Sequence, residues 1–149
     1  MRALLDTNVL ASDLMGLTQR SKTASPIVLS LWDQGAFELL CSDFVLGELE
    51  TVLQRPYFAR HITPEDRHRI LQTLRTDAEI VSLQIVVIGI AKHGEDDLVL
   101  SAAVSGNADF LVTGDSDFLR VHEHQGVKII TPADFLRQLD AVTEPGSPS

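Results

Sequence analysis

Four carboxylates, Asp6, Glu48, Asp97 and Asp115, fall at points of the chain where an acid needs a reason to be. Asp6 directly follows the short apolar run Arg2 to Leu5, and an acid at the end of a buried strand is poorly solvated without a partner. Asp115 follows Phe110-Leu111-Val112 after one Thr-Gly step, and Asp97 stands at a helix start. Glu48 borders the apolar stripe formed by Leu49, Val52 and Leu53. Carboxylates gathered within a few ångström repel one another and cannot all stay ionised. A hard divalent cation resolves that conflict, and all-oxygen ligation selects Mg²⁺ or Mn²⁺ over zinc. The chain also lacks a Cys/His cluster at zinc-ligand spacing. A cation so held activates water and stabilises the charge of a reacting phosphate, which is the chemistry of phosphodiester hydrolysis.

The elements that must position these acids alternate between apolar strands and helices. Strands are expected at Arg2 to Leu5, Phe37 to Cys41, Ile80 to Ile90 (in one or two pieces), Phe110 to Val112 and Val127 to Ile130. A Gly-, Ser-, Thr- and Lys-containing segment, Gly16 to Ser25, interrupts the chain, and Pro26 opens a short helical pattern that stops near Gly35. Ser42 or Asp43 caps a helix with apolar positions Val45, Leu46, Leu49, Val52 and Leu53, which ends before Pro56. Thr63-Pro64 starts a further helix, Asp96 and Asp97 open one that Gly106 terminates, and Thr131-Pro132 starts the last. This alternation predicts an α/β domain, a helix-covered sandwich with a mostly parallel central sheet, over residues 1–140. Residues 141–149 form a flexible tail by composition. In such sheets ligands bind at the carboxyl ends of the strands, where strand order reverses, so all four acids share one destination.

The totals leave this chemistry open. The 149 residues suit one domain, and 44% hydrophobic content is enough for a core without staples. The single cysteine, Cys41, lies in an apolar run, reads as a core residue and excludes a disulfide framework. With no secretory signal and no apolar stretch near the roughly 20 residues of a membrane span, a soluble cytoplasmic protein is expected. The formal net charge of −9 argues against broad electrostatic binding of nucleic acid, although bound cations would reduce it. Basic residues gather between Arg55 and Arg75, a candidate guiding surface whose plainer reading is an exposed amphipathic helix. The Thr113 hydroxyl and the amides at the start of the Asp97 helix are candidate phosphate contacts.

Asp6-Thr7-Asn8, Gly47-Glu48-Leu49, Asp97 through Ala103, and Phe110 through Leu119 with its Thr-Gly-Asp-Ser-Asp together resemble the four motifs of PIN-domain nucleases, in order and spacing. The resemblance runs from Met1 to about Leu136 and extends to the small VapC-like toxin ribonucleases. It implies a helix-flanked sheet, Mg²⁺- or Mn²⁺-dependent cleavage of single-stranded RNA, a homodimer, and an antitoxin that silences the enzyme as one half of a toxin–antitoxin pair. It makes Asp6, Asp97 and Asp115 metal ligands. Glu48 and Asp117 would bind metal directly or through water, and Asn8 would orient ligands or phosphate. Among the three adjacent acids Glu95-Asp96-Asp97, the register of Leu100 and the small residues after it favours Asp97.

Each residue also has a plainer role: Asp96 and Asp97 as helix caps, Asp115 and Asp117 as turn formers, Glu48 as a solvated helix residue. The Asp-x-Asp at 115–117 superficially resembles haloacid-dehalogenase-type phosphatases, but their lysine and further acids do not fit into the 32 residues that follow. A phospho-receiver domain would need a lysine just after its fifth strand, whereas Lys128 lies inside the last one. A non-toxin nuclease, or a silent scaffold binding RNA or protein, is the alternative, and silent scaffolds usually lack one of the acids.

Overall fold

The structure is a computed structural model that describes residues 1–19 and 28–143, without the side chains of 17–19 and 143. Six strands form one sheet: β1 (Arg2–Leu5), β2 (Glu38–Cys41), β3 (Glu79–Ile80), β4 (Phe110–Val112), β5 (Glu123–His124) and β6 (Val127–Ile130), in the order β3-β2-β1-β4-β6-β5. All neighbours run parallel except β5 and β6. Helices flank it: α1 (Thr7–Gln19), α2 (Val28–Asp33), α3 (Asp43–Leu53), α4 (Pro56–Ala59), α5 (Pro64–Asp77), α6 (Gly94–Ser105), α7 (Ser116–Leu119) and α8 (Pro132–Thr143). The expected α/β architecture with a mostly parallel sheet is the one observed. Among the described residues no helix is long and apolar enough to cross a membrane.

The central strands are covered on both faces, as parallel strands between helices must be, so every residue from Ala3 to Leu5 and from Phe110 to Val112 is buried. The sheet grows from β1 in both directions, to β2 and β3 on one side and to β4 on the other. The reversal of strand order therefore lies between β1 and β4. There the ladder continues past the strand ends: Asp6 N–H donates to Val112 C=O at 2.9 Å, and Thr113 N–H to Ile130 C=O at 3.0 Å. At the opposite end of the sheet, Arg2 ties β1 to β2 and β3 through Glu38 (2.7 Å) and Glu79 (2.8 Å).

Helix starts follow their caps. Ser42 Oγ accepts from Val45 N–H, Thr63 Oγ1 from Asp66 N–H and Thr131 Oγ1 from Asp134 N–H. Gly106, the C-cap of α6, is suited to glycine by lack of space rather than by conformational freedom. A Cβ there would come within 2.8 Å of Val81 Cγ2 and 3.0 Å of Leu40 Cδ1. Phe135 of α8 packs edge-on against Phe37 at 5.0 Å and against Phe110 at 5.9 Å, closing the core over β2 and β4. Cys41 is buried, and its thiol is pushed up to about 11 by that burial, so the reading as a core residue stands.

Three segments depart from expectation. The stretch from Ile80 to Ile90 is not a long strand, because only Glu79–Ile80 pairs with β2. Its β-branched residues instead form an irregular strap across α6, whose side chains take the strap amides. Ser105 Oγ accepts from Gln84 and Ile85, Ser101 Oγ from Val87, and the Asp97 carboxylate from Gly89, Ile90 and Ala91. These acceptors stand four residues apart along one helix face. The second departure is β5, a short hairpin strand turned by Gln125 and Gly126, both at positive φ. Thirdly, α1 runs through Gly16 to Gln19, so only residues 20–25 remain of the expected interruption, and these, with Pro26 and Ile27, lie outside the described residues. The C-terminal tail from residue 144 lies outside them too, and α8 extends to Thr143, past the boundary expected at 140.

Candidate active site

Asp6 and Thr7 make the turn from β1 into α1. The Asp6 carbonyl accepts from Val9 and Leu10, so Asp6 acts as the helix cap, and its Oδ1 accepts Thr7 N–H at 2.8 Å. Its other oxygen, Oδ2, accepts from the Thr113 hydroxyl at 2.9 Å. That hydroxyl, fully buried, also accepts Asp115 N–H at 3.1 Å. Thr7 Oγ1 in turn donates to Glu48 Oε1 at 3.0 Å, reaching across to α3. Two threonines thus join Glu48, Asp6 and Asp115 into one hydrogen-bonded line over three elements at the β1/β4 switch point. Asp115 completes the line by capping α7, its Oδ1 accepting Asp117 N–H at 2.9 Å.

The electrostatics show that these carboxylates share one space. Burial raises the Asp6 pKa, the bonds from Thr113 and Thr7 oppose the rise, and the Asp115 charge adds to it. Burial also raises Glu48, opposed by Thr7 and reinforced by Asp6 and Glu95. Asp96, half-buried, is pushed up to about 6, first by burial and then by the charges of Asp6, Asp115 and Glu48, with His93 opposing. One of its oxygens, Oδ2, is enclosed and has no hydrogen-bond partner among the described residues.

The structure therefore places Asp96, and not Asp97, with Asp6, Glu48 and Asp115. The Asp97 carboxylate points to the strap and is engaged by three backbone N–H groups at 2.8 to 3.2 Å. One residue along a helix is a turn of about 100°, enough to send adjacent acids to different surroundings. The other site residues fall as follows. Asp117 stands at the rim, with Lys92 Nζ at 3.3 Å, Arg120 Nη1 at 3.6 Å and His93 Nε2 at 3.9 Å from its carboxylate. Asn8 is exposed on the first turn of α1. Thr113 is buried too completely to touch a phosphate, and it orients Asp6 instead. Thr7 was not singled out from sequence, although a hydroxyl next to an acid at a helix start was its signal. Of the basic stretch, Arg75 pairs with Asp43 and Arg69 with Asp66, while Arg55 lines a groove that also includes Glu48 and Glu95.

The donor set fits a hard cation in its chemistry: oxygen-only, mutually raised carboxylates and an orphaned buried oxygen. As they stand, no three Asp, Glu, His or Cys side chains among the described residues converge closely enough to hold an ion.

Comparison with known proteins agrees with this geometry. The sequence profile of the PIN domain matches residues 2–117, a span that includes all the acids above. No curated protein matches the chain in sequence. Among solved structures, the chain is similar to one chain of VapBC2 from Rickettsia felis bound to a DNA fragment from their promoter. The TM-score is 0.53 and the identity 19%, over 88% of this chain and 98% of that one, a likeness of fold. With its sheet order, its acids at the switch point and a profile match over most of its length, the chain belongs to the PIN domain family.

Proposed function

We propose that this protein is a divalent-metal-dependent endoribonuclease that hydrolyses phosphodiester bonds in single-stranded RNA and serves as the toxin of a toxin–antitoxin pair. The observation that carries the nuclease reading is Asp96, whose carboxyl group is raised to about 6 by burial first and by three neighbouring acids next, and has one enclosed oxygen left unbonded. Buried polar groups without partners are rare and call for an explanation, and a cation ligand supplies one. RNA as substrate and an antitoxin as partner rest on the family and on the fold shared with a chain of a VapBC complex.

Asp6, Asp96 and Asp115 would hold Mg²⁺ or Mn²⁺, with Glu48 joining directly or through water. The bound cation supplies Lewis-acid polarisation of the phosphate and a water of lowered pKa. The chain's own part is positioning. Thr113 fixes the Asp6 rotamer and, through the Asp115 amide, the start of α7. Thr7 holds Glu48 toward Asp6. Asp97 anchors the strap, so that the first turn of α6 presents Asp96 rather than itself.

The test is cleavage of a single-stranded RNA with Mg²⁺ or Mn²⁺, with and without chelator, for the wild type and for Asp6→Asn and Asp115→Asn. Cleavage that stops with chelator and with either substitution supports the reading. Undiminished metal-dependent cleavage by both variants would sink it. A neighbouring reading frame for a small DNA-binding protein supports the toxin role, and its absence favours a stand-alone nuclease.

A further inference from the structure

A nuclease with a formal charge of −9 and a cluster of acids at its centre must bring a polyanion to a negative site. Local cations beside that site are needed to offset the repulsion, and the described residues include such a group. Lys92, His93 and Arg120 converge on the single carboxylate of Asp117 at 3.3, 3.9 and 3.6 Å. They come from the two segments that carry the site. Lys92 and His93 lead directly into α6 and Asp96, while Arg120 ends α7 five residues after Asp115. The cations are loosely held. Charge-assisted N–H···O bonds normally measure about 2.7 to 2.9 Å, as Arg2–Glu38 at 2.7 Å and Arg75–Asp43 at 2.9 Å do here. The Lys92, His93 and Arg120 side chains are also 64%, 56% and 79% exposed. Two permanent positive charges thus face one negative charge, with no short contact to hold them. Between them lies a cleft of about 310 Å³ lined by Ile90, Ala91, Lys92, Asp117, Arg120 and Val121, which offers apolar wall beside the charge.

We infer that Lys92 and Arg120, kept apart and aimed by Asp117, form a clamp for a backbone phosphate of single-stranded nucleic acid next to the one being cleaved, with Ile90 and Val121 against the adjoining nucleotide. The clamp rests on the nuclease reading above but concerns binding, which can be measured without catalysis. In this role Asp117 is a positioning residue, held in reserve as the partner that the phosphate displaces.

The experiment is fluorescence anisotropy of a labelled single-stranded RNA with the full chain in chelator, across a salt series. It compares the wild type with Lys92→Gln/Arg120→Gln, with Asp117→Asn, and with Lys128→Gln/Arg137→Gln as a control away from the site, Lys128 standing beside Phe110 at the opposite end of β4 from Asp115. Each phosphate contact contributes about 0.7 to the slope of log K against log salt for single strands. The clamp variant should therefore lose about 0.7 to 1.4 of slope and about tenfold in affinity at moderate salt. Asp117→Asn should bind more tightly, and the control pair should leave the slope unchanged. In the metal-loaded enzyme the clamp variant should show its loss in KM rather than in kcat. A slope in the clamp variant equal to the wild type, or equal losses in the control pair, overturns the clamp even if the wild type cleaves RNA. Absence of RNA binding by the wild type overturns it as well. Metal-dependent cleavage by Asp6→Asn and Asp115→Asn bears on the nuclease reading alone, so the two failures are distinct.

Discussion

At the scale of single residues, Asp96 and Asp97 make opposite predictions although they are adjacent. Asp97 satisfies three backbone N–H groups, so Asp97→Ala leaves them without an acceptor and should cost about 1 to 3 kcal/mol of stability. Asp96 has an unsatisfied oxygen and three repelling neighbours, so Asp96→Asn should raise the melting temperature of the metal-free protein. Removing even an outer-shell partner of a metal site typically costs about 10- to 100-fold. Asp96→Asn should therefore lower cleavage by at least that much, and Thr7→Val or Thr113→Val by an amount within it. Thermal melts beside a cleavage assay decide the matter, and an inactive but stable Asp97→Asn with an active Asp96→Asn would reverse the assignment. The raised Asp96 pKa also has a pH consequence. Its folded value of about 6 lies above the ordinary 3.8, so the folded state holds the proton more tightly than the unfolded chain. The resulting stabilisation is fully present below pH 4 and is lost as pH rises through 6. Melts of metal-free protein should fall over that window, and less steeply in Asp96→Asn.

At the scale of elements, the strap over residues 81–93 shows how tertiary contacts override propensity. Ile85, Val86, Val87 and Ile88 are β-formers, yet the amides of Ile85 and Val87 meet the hydroxyls of Ser105 and Ser101 rather than a neighbouring strand. Strand and strap look alike in sequence because apolar β-branched residues serve both, and the acceptors sit in a helix 14 to 21 residues away. Ser101→Ala and Ser105→Ala should each remove about 1 kcal/mol and speed amide exchange at residues 84–87 while sparing β1 and β4. Exchange confined to the ends of α6 would contradict this account. The β5 hairpin was missed for a related reason: Gln125-Gly126 is a weaker turn signal than Asn-Gly, and a two-residue strand is too short to show alternation.

For the whole molecule, the exposed strap has a consequence for assembly. Leu83, Ile85, Val86, Ile88 and Ile90 are 41% to 82% exposed along one segment. Contiguous apolar surface of this kind marks interaction sites on proteins that remain monomeric otherwise. If the homodimer or the antitoxin complex expected from the family uses this face, Val86→Ser and Ile88→Ser should weaken association without lowering the melting temperature. Light scattering with and without the candidate antitoxin measures the effect. An unchanged mass and unchanged complex formation would remove the strap from the interface.

The order of apolar runs, caps and acids was enough to determine the α/β class, the single sheet and the family, and to single out Asp6, Glu48 and Asp115 as candidates that the structure links through Thr7 and Thr113. These are local or periodic signals: a buried strand reads as a continuous apolar run, and an acid at its end stands out. The third carboxylate needed the tertiary structure. Among Glu95, Asp96 and Asp97 the register of the following residues favoured Asp97, and only the docking of the strap on α6 shows that Asp97 is consumed by three amides and leaves Asp96 to face the other acids. The same holds for Asp117, whose three cationic neighbours come together only once α7 and the segment before α6 meet beside the β1/β4 switch point.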